Sequence, residues 1–247
     1  MKNKLLISCA LLPLALVSYN TLANEKAHWG YSGHQGPENW AQLSHDNLTC
    51  NGKNQSPINL TGFIEADLTP LTFNYKQGGE QVINNGHTVQ VNYQKGSSLA
   101  IDGKSFNLLQ FHFHAPSENH INGKSYPLEA HLVHADKQGD LAVVAVMFEQ
   151  GESNDLLSKA WKTMPKHAGE QFSLREKINV AKLLPKNRDY YRFNGSLTTP
   201  PCSEGVRWLV MKDPVTVSKT QLISFRGALH EANNRPIQAT NARTVLQ

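Results

Sequence analysis

The run Gln110-Phe-His-Phe-His114 constrains this chain more than any other stretch. Successive side chains of an extended segment point to opposite faces, so His112 and His114 project from one side and Phe111 and Phe113 from the other. The phenylalanines need a core, and the imidazoles need partners, because an unpaired polar ring is costly to bury. A second segment, Glu129-Ala-His-Leu-Val-His134, carries His131, which a neighbouring strand can set beside the first pair. Three neutral imidazoles on one rigid sheet leave a tetrahedral metal a free fourth position, the pattern of a catalytic rather than a structural zinc site. A lone His-x-His more often has the ordinary reading of strand histidines. Here Gln110 shares a face with His112 and His114, and Glu129 shares one with His131. An amide and a carboxylate therefore stand ready to orient the rings from behind. His134 falls on the face opposite His131 and is expected to be a hydrogen-bonded structural residue.

Strand patterning recurs along the chain, at 71–75, 87–93, 106–114, 128–134 and 206–211. The segment Leu141-Ala-Val-Val-Ala-Val-Met-Phe148 is apolar throughout and rich in β-branched residues, as a strand buried on both faces should be. Asn84-Asn-Gly86, Asn122-Gly123 and Gln138-Gly139 supply turns between such runs. Helical spacing is weaker and confined to 153–164, with Pro165 just beyond, and to 218–230. At 247 residues, with no repeat and no linker, the expectation is one mainly β domain on a large, mostly antiparallel twisted sheet with short peripheral helices.

The first residues read differently. Lys2 and Lys4 precede an apolar run from Leu5 to Val17, and Thr21-Leu-Ala23 offers small residues for cleavage. Residues 1–23 are therefore expected to be a signal peptide and 24–247 the catalytic domain. The expected location is periplasmic, without a stable membrane anchor, because the apolar run is short for a bilayer span. Removing 1–23 takes away two lysines and no acid, so the formal charge falls from +4 to +2. With no basic tract, a nucleic-acid partner is not expected. Two cysteines remain, Cys50 and Cys202, and in an exported chain an even pair reads as one disulfide rather than two separate buried thiols. Closing so long a loop is worth on the order of 3–5 kcal/mol in the chain-entropy model.

Other short segments join the two histidine runs: His28-Trp-Gly-Tyr31, Gly36-Pro-Glu-Asn-Trp40, Gln55-Ser-Pro57, Asn84-Asn-Gly-His87, Ser196-Leu-Thr-Thr-Pro-Pro201 and Asn234-Arg-Pro236. In this order and spacing the chain resembles the α-class carbonic anhydrases from about His28 to Gln238. Ala115-Pro-Ser-Glu-Asn119 is similar to their exported bacterial branch. The resemblance implies reversible hydration of carbon dioxide to bicarbonate and a proton, by attack of zinc-bound hydroxide. It implies Zn2+ on His112, His114 and His131, backed by Gln110, Glu129 and the carbonyl of Asn233. Thr198 would orient the hydroxide by donating its one proton to Glu118, and Thr199 would help hold bicarbonate. Val133, Val143, Leu197, Val206 and Trp208 would form the carbon dioxide pocket; opposite, Thr88 and Gln90 alternate with apolar Val89 and Val91, and the alternation predicts that they line the wet side. His87 would shuttle the proton along waters held by Tyr31, Asn85 and Gln90. The resemblance also implies cis bonds at Ser56-Pro57 and Pro200-Pro201. A Cys50–Cys202 bridge would steady the loop that carries Thr198.

Two other functions fit parts of the pattern. His112-x-His114 followed by Glu118 has the spacing of a cupin metal motif, although the flanking glycines do not fit. A non-catalytic binding protein on the carbonic anhydrase fold is the other, but such relatives typically lose zinc ligands that are all present here. The sequence is compatible with a monomer or a homodimer.

Overall fold

The computed structural model describes residues 28–247, so the expected signal peptide at 1–23 lies outside the described residues. Among these, no helix is long and apolar enough to cross a membrane.

The strands in chain order are β1 (Asn59–Leu60), β2 (Thr72–Asn74), β3 (Gly79–Asn84), β4 (Val89–Tyr93), β5 (Ser98–Ile101), β6 (Lys104–His114) and β7 (His120–Ile121). After them come β8 (Leu128–Ala135), β9 (Leu141–Gln150), β10 (Gln171–Ile178), β11 (Tyr190–Ser196), β12 (Glu204–Met211) and β13 (Val215–Val217). Three helices, α1 (Trp40–Leu43), α2 (Asp155–Ala160) and α3 (Lys219–Leu229), lie among them. The main sheet runs β10-β3-β4-β6-β8-β9-β12-β11, with β2, β5 and β13 attached at its sides. Its pairs are antiparallel except where β12 and β13 run parallel to β9. The mainly β, mostly antiparallel expectation therefore holds.

The sheet separates two cores. On one face Phe111, Phe113, Leu132, Val144 and Phe148 pack beneath α2 and α3. On the other, Val143, Ala145, Met147, Val206, Trp208 and Val210 form a second apolar layer. The strand β9 is buried on both faces, as its uniformly apolar sequence requires.

One irregularity in β6 matters for everything downstream. Phe106 and Leu108 are buried, and so are Phe111 and Phe113, although the two pairs have opposite parity. The register against β8 shifts between Leu108 and Gln110, a bulge that makes Leu109 the extra residue, 47% exposed. A bulge adds one residue and reverses the alternation. Both apolar pairs can thus serve one core while Gln110, His112 and His114 turn to the opposite face.

Local chemistry explains the helix ends. Asn154 caps α2 by accepting from the N–H groups of Leu156 and Leu157. Ser218 and Gln221 form a capping box on α3, and His230 ends that helix with φ of 65°. α2 is shorter than its spacing suggests. Trp161 leaves the helix and packs its ring against Phe225 and Phe113, at centroid distances of 5.3 and 5.0 Å. Two further sequence expectations also hold. Cys50 and Cys202 are bridged, and Ser56-Pro57 and Pro200-Pro201 are cis, joined by a third cis bond at Ala115-Pro116.

His134 is buried on the face opposite His131 and has structural partners only. Its Nε2 meets the Tyr75 hydroxyl at 2.7 Å and its Nδ1 meets the Ala142 carbonyl at 3.2 Å. Burial lowers its pKa from 6.5 to about 4. The unfolded chain takes up this proton first, so the contribution is complete above pH 6.5 and is lost as pH falls toward about 4. Denaturant unfolding of the wild type and His134→Gln, from neutral pH down to about 4, checks this. The variant should lose stability less steeply with acid, and equal slopes would contradict the assignment.

Candidate metal centre

The antiparallel register sets His112 directly opposite His131, with His114 one pleat further along β6. The ring centroids lie 5.3 Å apart for His112 and His131, 5.0 Å for His112 and His114, and 4.6 Å for His114 and His131. One nitrogen from each ring falls within 4.8 Å of the others.

The remaining nitrogens are held from outside. His112 Nδ1 donates to Gln110 Oε1 at 2.9 Å, and His114 Nδ1 to the Asn233 carbonyl at 2.7 Å. His131 uses its other nitrogen, with Nε2 donating to Glu129 Oε1 at 2.8 Å. These acceptors assign the tautomers, so the lone pairs of His112 Nε2, His114 Nε2 and His131 Nδ1 converge. Burial pushes all three imidazoles below the usual histidine range, and His114 presses the other two down further. Neutral rings are the form that binds a metal. His114 Nε2 is buried without a hydrogen-bond partner, an arrangement that is costly unless an ion meets it. Three neutral nitrogen donors without a thiolate fit Zn2+ with an open fourth position.

Glu118 lies beside this cluster. Its Oε1 accepts the Arg235 backbone N–H at 2.9 Å, while Oε2 has no hydrogen-bond partner and stands 3.5 Å from His114 Nε2. Burial raises its pKa well above the carboxylate range, and the Arg235 N–H and the neighbouring Thr198 hydroxyl pull it back. Thr198 sits in the loop between β11 and β12. That loop is pinned by the Cys50–Cys202 bridge and by Gln55 Nε2 donating to the Cys202 carbonyl at 3.1 Å. Val143, Val206 and Trp208 are buried together, with Val133 and Leu197 packed against them. Trp208 lies edge-on to His131, 4.8 Å between centroids, so this apolar wall borders the histidine cluster. Thr199 is half-buried in the same loop as Thr198.

The residues expected along a proton path have these surroundings. His87 is half-buried and stacked on Trp29, 3.6 Å between centroids, and burial lowers its pKa, with His28 adding to the effect. The Tyr31 hydroxyl is buried without a partner. Asn85 spends its side-chain oxygen on the N–H groups of His87 and Thr88, which fixes the turn. Gln90 pairs in register with His112, and its amide donates to Asn92. Thr88 corrects the sequence reading: it is buried, its hydroxyl donates to the Phe113 carbonyl at 2.6 Å, and it lines no wet wall. The strand begins only at Val89, so the alternation does not reach it.

Sequence reasoning missed three supports. Asn119 donates its amide to Glu129 Oε1 at 2.8 Å while its own oxygen accepts from Ile58 N–H. Asn233 also ties His87 to Phe113 through its side chain. Arg235 is buried, donating to Gln55, Ser56 and the Cys50 carbonyl. Asn119 and Arg235 lie inside the short motifs and Asn233 just before the last of them, but only a fold shows what each touches.

Comparisons agree with this geometry. The family model for eukaryotic-type carbonic anhydrase matches residues 35–247. A carbonic anhydrase of Pectobacterium carotovorum is 47% identical over 247 residues, covering 100% of both chains. The solved α-carbonic anhydrase of Thermovibrio ammonificans, in complex with sulfanilamide, is 51% identical with a TM-score of 0.88, covering 90% of this chain and 99% of that one. A dioscorin structure with ascorbate is 34% identical, TM-score 0.84, covering 89% and 97%. These likenesses set aside the cupin reading. The chain belongs to the eukaryotic-type, α-class carbonic anhydrase family.

Proposed function

We propose that this chain catalyses the reversible hydration of carbon dioxide with Zn2+ held by His112 Nε2, His114 Nε2 and His131 Nδ1. The observation that carries the reading is the convergence of three buried, neutral ring nitrogens, each backed by its own acceptor. A dication held by three neutral ligands keeps its charge and acidifies a bound water, an effect for which carbonic anhydrase is the standard example.

The chain's own residues supply the rest. A hydroxyl has one proton, so Thr198 donating to Glu118 can only accept from the reacting water, which orients the attacking lone pair. Glu118 suits this role because its free oxygen faces the cluster while Arg235 holds the other. Val133, Val143, Leu197, Val206 and Trp208 exclude water beside the site and favour a small apolar substrate, and Thr199 borders the product. His87, neutral at pH 7 and open to solvent on one side, takes the released proton, with Tyr31 as the group best placed to hold water between. The presence of all three histidines favours this reading over a non-catalytic role on the same fold. Export fits the same picture, since the Cys50–Cys202 bridge belongs in an oxidising compartment.

Zinc analysis with carbon dioxide hydration assays tests the proposal directly. The purified protein should hold one equivalent of zinc, lose hydration to a chelator and regain it with zinc. Activity that survives complete zinc removal would refute the reading. In chelator competition, Gln110→Ala should weaken zinc affinity about tenfold, since it frees the His112 ring, and unchanged affinity would remove Gln110 from the site. His87→Ala should slow turnover in weak buffer by about 10–100-fold, with exogenous imidazole restoring part of it. Unchanged turnover would exclude His87.

A further inference from the structure

Behind the metal centre, on the opposite face of the sheet, the segment that follows α2 lines a groove of about 920 Å3 together with β10 and α3. Phe172 and Ile223 open into it while 45% and 61% exposed, and buried Trp161 borders it. Exposed apolar side chains gathered in a concavity are unlike the scattered ones of an ordinary surface. The groove is also basic. Lys162, Lys166 and Arg175 line it, exposed, and none is ion-paired among the described residues. The carboxylate in the lining, Glu170, is already engaged, accepting the backbone N–H groups of Lys166 and His167 at 3.0 and 3.2 Å.

Two further observations point to an occupant. Gly227 lies inside α3, where glycine is a poor helix former. A Cβ built there meets nothing within 4 Å, so close packing does not explain it, and its missing side chain leaves the groove open. Trp161, in the lining, keeps its buried Nε1–H without an acceptor. The groove is separate from the proposed catalytic site, although Trp161 packs edge-on against Phe113, the residue between His112 and His114.

We propose that this groove binds an amphipathic carboxylate of the fatty-acid class. The tail lies on Phe172 and Ile223, and the head group pairs with the Lys162, Lys166 and Arg175 cluster and offers an acceptor to the Trp161 Nε1–H. A single molecule rather than a membrane surface is favoured by shape. The site is concave and of a size that small ligands fill, roughly 300–1,000 Å3, whereas a membrane-binding face presents its apolar residues outward.

The test uses the full chain with monomeric dodecanoate, followed by calorimetry and tryptophan fluorescence. Saturable binding at one site is expected. Gly227→Leu fills the groove and should weaken it at least about tenfold, given the apolar contact removed. The double variant Lys162→Glu/Arg175→Glu should weaken it about tenfold through lost ion pairing, and dodecyltrimethylammonium should bind more weakly than dodecanoate. The charge variant changes only exposed side chains, so it reads the proposal even if leucine perturbs α3. The proposal is overturned if dodecanoate does not saturate, if both variants bind it unchanged, if the cation binds equally well, or if the protein associates only with anionic phospholipid vesicles.

Discussion

The pairing of β6 with β8 is the constraint on which the rest of this structure depends. It places His112 opposite His131 and brings His114 within one pleat. The bulge at Leu109 makes that pairing compatible with a continuous core, because Phe106 and Leu108 reach the same apolar layer as Phe111 and Phe113 only if the alternation reverses between them. Without it, either the aromatic residues or the histidines would face the wrong side. The geometry of the histidine cluster and the packing of the core are thus set by one local irregularity.

Rigidity around the cluster comes from distant parts of the chain. Asn233, near the C-terminal end, holds His114 through its carbonyl and the His87 turn through its side chain. Glu129 accepts from His131 with one oxygen and from the N–H groups of Glu118 and Asn119 with the other, so a single buried carboxylate positions both a ring and the loop bearing Glu118. Arg235 links Glu118 through its backbone to Gln55 and Cys50 through its side chain, and Gln55 in turn holds Cys202. The disulfide, the Thr198 loop and the acid beside the imidazoles therefore form one connected polar network, in which each buried group depends on its neighbours.

Much of this was legible in the sequence where one face of a strand is chemically unlike the other. The alternation in 110–114 and the Glu129/His131 spacing identified the histidines and two of their three acceptors from residue pattern alone. The third, the Asn233 carbonyl, lies 119 residues from His114 and entered only through family resemblance. Thr88 departs from the alternation because it precedes the first residue of β4 and belongs to the turn held by Asn85. The strand β10 escaped notice because it is almost wholly exposed and its sequence carries no buried face. Arg235 carries no pattern that announces burial, and only the fold shows both terminal guanidinium nitrogens donating to carbonyl and amide oxygens in the interior.

The central claim is that three specific nitrogens, two Nε2 and one Nδ1, form a zinc site with an open fourth position. Anomalous diffraction at the zinc edge from crystals of the metal-loaded protein tests it most directly. The account predicts one strong peak within about 2.0–2.1 Å of His112 Nε2, His114 Nε2 and His131 Nδ1, with Glu118 outside bonding distance. A peak elsewhere, a different ring nitrogen turned toward the metal, or Glu118 filling the fourth position would contradict it.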